Sequence, residues 1–273
     1  MTRTIKTASW DAALNTKVCD KNNNAELTIT VRLGFRQVNP TNGATTGFYN
    51  DYGAAVSAPG SPPKKIVRWS QQDWLAWKKD FVRSAKQYWH GKFWLINNHQ
   101  EFEYNDGASK YTPNIYCRFN LIESDFTVGG NYHHVIDVVN LDPSETWFGS
   151  HSTLYDNLDL NPITKGFDSN GNPIVQRAHV HEVGHLLGLG HVDEGKNHCP
   201  SSGNTNAAVC YGVTDIDKNS VMGSGMQLRA KHANPWRRAI ITMTGKGAVL
   251  NNSDWAPKTV RTYPKAHATS LSN

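Results

Sequence analysis

The chain alternates between short runs of apolar and β-branched residues and long polar connections, with one extended stretch at helical spacing. Residues 26–38, ELTITVRLGFRQV, predict a strand, and the Pro-, Gly- and Asn-rich stretch 39–65 predicts a long surface loop. In residues 70–90, Trp74, Trp77, Phe81 and Ala85 recur at spacings of three and four. That pattern is one apolar helical stripe, with Ser70 as N-cap and Gly91 just past the end. Strand-like runs follow at 92–97, 114–123 and 132–141, with a fourth, shorter one at 147–155. A polar loop carrying the turn signals Asn161-Pro162 and Asn170-Gly171 leads to a helix expected over 174–187. A second long loop runs to Ser220, and Asn234-Pro235 opens a last helix to about Thr244, with Pro at its first position. From Gly245 onward no periodicity is evident. There is no internal repeat and no strong linker, so a single α+β domain is expected.

Composition changes this picture in few places. A chain of 273 residues buries enough surface to fold without a metal or disulfide, and it holds no run of 18 apolar residues, which excludes a membrane-spanning helix. Lys and Arg exceed Asp and Glu by 28 to 23, a net charge of +5, but they are scattered; no block of like charges suggests a nucleic-acid arm. A monomer with a solvated, mildly basic surface is expected. The four cysteines contain no CxxC, which excludes a zinc ribbon and suggests two disulfides, Cys199 with Cys210 and Cys19 with Cys117, in an oxidising compartment. The first bridge would contribute roughly 3 kcal/mol. The first 30 residues lack an apolar signal-peptide core. A secreted or extracellular protein is therefore expected, with its signal removed or its export non-classical. Twelve His against seven Glu is an inverted ratio that hints at metal chemistry.

Residues 181–191 turn that hint into a site: HEVGHLLGLGH. At this chain's own residue frequencies, the five fixed positions of H-E-x-x-H-x-x-G-x-x-H arise by chance in roughly 5 of 100,000 sequences of this length. His181 and His185 stand one helical turn apart, about 6 Å along the axis, and can converge on one zinc ion. Glu182 borders that face and reaches a water on the metal without ligating it. Gly188 ends the helix in the left-handed conformation, and the turn brings in His191 as third ligand. Three histidines leave a fourth position to water, the mark of a catalytic site. His179 lies roughly 200° around the helix from His181 and is expected in the core or behind the ligands.

The motif, together with Ser220-Val221-Met222-Gly223-Ser224 31 positions beyond His191, resembles the metzincin clan of zinc endopeptidases over Val180 to Ser224. The resemblance implies an α/β-type sandwich: a mixed twisted sheet, a long first helix, a zinc helix, a methionine turn and a C-terminal helix. It implies one catalytic domain over 1–273, with a cleft between an upper subdomain (1–191, including the zinc helix) and a lower one (192–273). Met222 takes the role of apolar floor beneath the histidines, with Met226 the poorer candidate. Val192 and Asp193 after the third histidine match no single family of the clan. Asp193 is either a partner for a histidine N–H or a surface carboxylate at the helix exit. Position 224 is Ser where some relatives carry an oxyanion-stabilising Tyr, a role left to another residue such as Tyr211. Asp168 to Asn172 resembles part of a calcium loop, but a plain β-turn explains it better.

The expected chemistry is hydrolysis of a peptide bond in a protein or peptide substrate, with Glu182 as general base and then acid. The substrate would add as a strand to the sheet edge formed by 147–155 or, as second choice, 132–140. A toxin or effector that cleaves foreign proteins fits the same residues. A zinc-stabilised binding module without turnover is the alternative, and the presence of Glu182 speaks against it.

Overall fold

The computed structural model describes residues 2–16, 24–49, 63–98, 102, 104–105, 110–146, 151–245, 255–259 and 267–269. Strands β1 (Thr2–Lys6) and β2 (Asp11–Asn15) form an antiparallel hairpin that lies along β3 (Ala25–Val38). In β3 the apolar alternation is strictest: Ala25, Leu27, Ile29, Val31 and Leu33 are all buried while the residues between them are partly exposed. A period of two with one buried face is what a sheet requires. A hairpin of β4 (Thr46–Tyr49) and β5 (Lys64–Val67) occupies the ends of the region read as a loop.

Helix α1 (Gln71–Trp89) starts where expected, the Ser70 hydroxyl accepting from the Asp73 amide at 3.1 Å. Trp74, Trp77, Phe81 and Ala85 are all buried, and the first three crowd around Phe35 with ring centroids 5.2–6.3 Å away. Strands β6 (Phe93–Ile96), β7 (Tyr104–Asn105), β8 (Lys110–Thr112) and β9 (Ile115–Asp125) follow, then β10 (His134–Val139) and β11 (Leu154–Asp156). β9 and β10 run parallel to β3, on opposite edges of it, and β11 runs parallel to β10. β6 pairs antiparallel to β9, giving a mixed sheet in an α+β architecture.

Residues 162–177 depart from expectation. They form a hairpin of β12 (Pro162–Phe167) and β13 (Pro173–Arg177), turned by Asp168 to Asn172. Ile174 and Gln176 are buried while Val175 and Arg177 are exposed, so the period here is two, and helix α2 (Ala178–Leu186) starts four residues later than predicted. The Asp168 carboxylate accepts from the amides of Asn170 and Asn172, a hydrogen-bonded β-turn. After a short α3 (Asp215–Lys218), helix α4 (Asn234–Thr244) packs on β1, β2 and β3 with Pro235 in its first turn. The tail adds β14 (Ala256–Thr259), which extends the sheet beyond β6, and β15 (His267–Thr269), which pairs with β8.

Two further expectations are corrected. Within 147–155, residues 147–150 lie outside the described residues, and the edge strand is β11. Its outward groups are already used: Leu154 exchanges both backbone bonds with His151, at 2.9 and 3.0 Å, and the Asp156 amide donates to Asp159 Oδ2 at 2.7 Å. A peptide cannot add along Leu154 to Asp156. The Cys19 with Cys117 bridge also fails. Cys117 is a free, buried thiol in β9, paired in register with Leu27 on one side and Phe93 on the other; Cys19 lies outside the described residues. Burial raises the Cys117 pKa well above the usual thiol value. Iodoacetamide should label Cys117 only after denaturation, and a non-reducing peptide map should recover Cys117 unpaired. Recovery of a Cys19–Cys117 peptide would contradict this placement.

Candidate metal centre

α2 is nine residues long and almost wholly buried. Its exit is a Schellman turn: Gly188, at φ +84°, donates to the His185 carbonyl at 2.8 Å, and Leu189 donates to the Gly184 carbonyl at 3.0 Å. Glycine carries the positive φ at little cost, and the chain reverses in time to present His191.

Each histidine is oriented by a backbone carbonyl. His181 Nδ1–H donates to Val221 O at 2.7 Å, His185 Nδ1–H to Leu189 O at 2.8 Å and His191 Nδ1–H to Thr205 O at 2.6 Å. A carbonyl oxygen only accepts, so the proton of each neutral ring sits on Nδ1 and each Nε2 carries a lone pair. Those lone pairs face one another. His185 Nε2 stands 3.1 Å from both His181 Nε2 and His191 Nε2, and the ligand atoms of all three residues fall within 4.8 Å of one another. With no hydrogen between them, three converging lone pairs repel unless a cation sits among them. Tetrahedral zinc with bonds of about 2.0–2.1 Å separates its ligand nitrogens by about 3.3 Å, so the donor set fits zinc in type, number and spacing. Among the described residues, no other group of three His, Cys, Asp or Glu is so arranged.

Burial keeps the rings neutral. His181 is held well below the ordinary imidazole value by burial and by the neighbouring His185; His185 falls to about 4 through burial and His191; His191 is lowered by burial. Glu182 moves the other way, pushed up to about 8 by burial with Asp159 adding to the rise and Lys165 opposing it. Its carboxyl lines a cavity of about 580 Å³ together with His185, His191, Tyr211, Thr205, Asn206, His151 and Ser152.

The other residues singled out by the sequence lie at varied distances from this set. Met222 is buried, and a Cβ on Gly184 would overlap its sulfur, so Met222 packs directly against the helical turn between His181 and His185. Met226 is elsewhere, its sulfur accepting from the Arg177 amide at 3.4 Å. His179 is fully buried, its Nδ1–H donating to Asp159 O at 2.9 Å and its Nε2 meeting the Ser84 hydroxyl of α1. It ties α2 to α1 and takes no part in the triad. The Tyr211 ring lies on His191 with centroids 4.0 Å apart, and burial pushes its phenol up to about 12. Asp193 is no surface carboxylate, and the histidine it partners is His198 rather than one of the triad. It is fully buried and accepts from Lys196 Nζ, His198 Nε2 at 2.9 Å and the Val213 amide at 3.2 Å, so it braces the following loop and touches no ligand. Cys199 and Cys210 form the expected bridge, Cα atoms 5.2 Å apart, and thereby close the loop that carries Thr205.

Sequence reasoning misses the three orienting carbonyls, because any residue type supplies one. It also misses Gln176, whose amide donates to Gly223 O at 2.8 Å and docks β13 on the methionine turn. No protein-family model matches the chain, and neither a curated protein nor a solved structure shows significant similarity to it. The site therefore stands on its own residues: three histidines, two buried and one half-buried, able to hold a metal ion such as zinc. Elemental analysis after zinc loading should find one equivalent per chain. His181→Ala, His185→Ala or His191→Ala should abolish tight binding, whereas His179→Ala should keep the stoichiometry and lower the unfolding midpoint. Full zinc retention by His185→Ala would contradict the assignment.

Proposed function

We propose that the protein is a zinc-dependent endopeptidase of the metzincin type, acting on protein or peptide substrates. The observation that carries this reading is the convergence of three Nε2 lone pairs beside a buried carboxyl that opens onto a cavity. A purely structural zinc site is closed by a fourth protein ligand, and here the adjoining space is a cleft. The packing of Met222 beneath the zinc helix supports the clan assignment.

His181, His185 and His191 would hold the ion through Nε2, each ring fixed in tautomer and direction by its carbonyl. Zinc bound there supplies Lewis acidity toward a substrate carbonyl and makes a water nucleophilic near neutral pH. Glu182 would accept the proton of the attacking water and return it to the leaving amine nitrogen. Tyr211 keeps its phenolic proton at neutral pH and faces the same cavity, which suits it to donate a hydrogen bond to the developing oxyanion. The disulfide in the loop that orients His191 favours an oxidising, extracellular setting, for a secreted protease or an exported effector.

The test is cleavage of a denatured protein by the zinc-loaded chain. Glu182→Gln should retain one zinc equivalent and lose about 10²–10⁴-fold in kcat/KM. Wild-type turnover by Glu182→Gln, or turnover that survives a chelator, would overturn the reading.

A further inference from the structure

The charges around the cleft point to its substrate class. Among the described residues, no Lys or Arg lines the 580 Å³ cavity; apart from the imidazoles and the Tyr211 phenol, its titratable side chains are Glu182 and Glu194. Glu182 is committed to the reaction, which leaves Glu194 as the carboxylate that can meet a substrate side chain.

Glu194 is solvent-exposed, and the local turn carries it to the cleft. The Glu194 amide donates to the His191 carbonyl at 3.2 Å, folding residues 191–194 into a turn. The side chain then runs back over Gly190, its carboxylate lying where a Cβ at that position would be. Among the described residues, Glu194 forms no ion pair and its carboxylate accepts no hydrogen bond. A second cavity, of about 410 Å³, lies across the 189–194 segment and is lined by Lys231 and Arg238 as well as Glu194. Both cations are held to the backbone of the same segment: Lys231 Nζ donates to Val192 O at 3.2 Å, and Arg238 Nη2 donates to Gly188 O at 3.4 Å. Neither cation forms an ion pair with the Glu194 carboxylate, which lies beside the third histidine.

We propose that Glu194 is a specificity-determining residue that makes the cleft select polypeptides with Lys or Arg flanking the scissile bond. This inference rests on the peptidase reading and adds its substrate class. A guanidinium or ammonium seated against Glu194 gains a charge-assisted hydrogen bond in a partly enclosed site, a gain that a neutral side chain lacks. An acidic side chain at the same place meets repulsion from the Glu194 carboxylate.

Mass-spectrometric mapping of cleavage sites in a denatured protein, with competition between peptides differing only in one flanking residue, tests it. The wild type should favour Lys and Arg over Leu by at least about tenfold in kcat/KM. Glu194→Gln should collapse that ratio toward one, and Glu194→Lys should turn the preference toward Asp and Glu. Cleavage by the wild type without basic enrichment, or enrichment that persists in Glu194→Gln, would overturn this inference while leaving the peptidase reading intact. Absence of any cleavage by the zinc-loaded wild type would overturn both.

Discussion

Three backbone carbonyls decide what this molecule can do. Those of Leu189, Thr205 and Val221 each take the Nδ1 proton of one histidine, and that choice of tautomer turns all three Nε2 lone pairs to a common point. Were any ring in the other tautomer, an Nε2–H would occupy the space that a cation needs. The carbonyls come from three separate segments, namely the helix exit, the loop closed by Cys199 and Cys210, and the turn ahead of Met222. Much of the chain between 188 and 227 is accounted for by the need to hold those segments still. Gly188 reverses the chain, the buried Asp193 gathers Lys196, His198 and Val213, and Val192 N is paired with Met222 O at 2.8 Å.

The core performs the same service for the helix. Trp89, fully buried at the end of α1, donates from Nε1 to Val180 O at 3.1 Å, and His179 reaches Ser84 on the same helix. Both contacts fix α2 in rotation and along its axis, so that His181 and His185 face the cleft and Val180 and Val183 face the core. Gln176 extends the same restraint to the other side by linking β13 to the methionine turn. A nine-residue helix is too short to be stable alone, so its position is a product of this packing.

What sequence reasoning reads well here is whatever depends on spacing. The stripe of Trp74, Trp77 and Phe81 locates α1 within a residue at either end, and the histidine spacing picks out the three rings that converge. Strict alternation in 26–38 likewise locates β3 to one residue. The failures have physical causes. The hairpin of β12 and β13 is short and mostly solvent-facing, so Ile174 and Val175 merge with the helix pattern that follows. β14 is placed by pairing with β6, an interaction remote in sequence and without periodicity of its own. The role of Asp193 was not legible, because whether a helix-exit carboxylate points outward or inward depends on Lys196, His198 and Val213 converging on it. Edge availability at β11 was equally hidden, since it turns on a local exchange between His151 and Leu154.

The central claim, that carbonyl-fixed tautomers converge three Nε2 atoms on one ion, is open to direct measurement. Long-range proton–nitrogen correlation spectra of the histidine side chains, recorded with and without zinc, report which ring nitrogen is protonated and which binds metal. The account predicts Nδ1–H in His181, His185 and His191 in both states, with their Nε2 signals alone moving on zinc addition. An Nε2–H tautomer in any of the three, or a zinc-dependent shift centred on Nδ1, would contradict it.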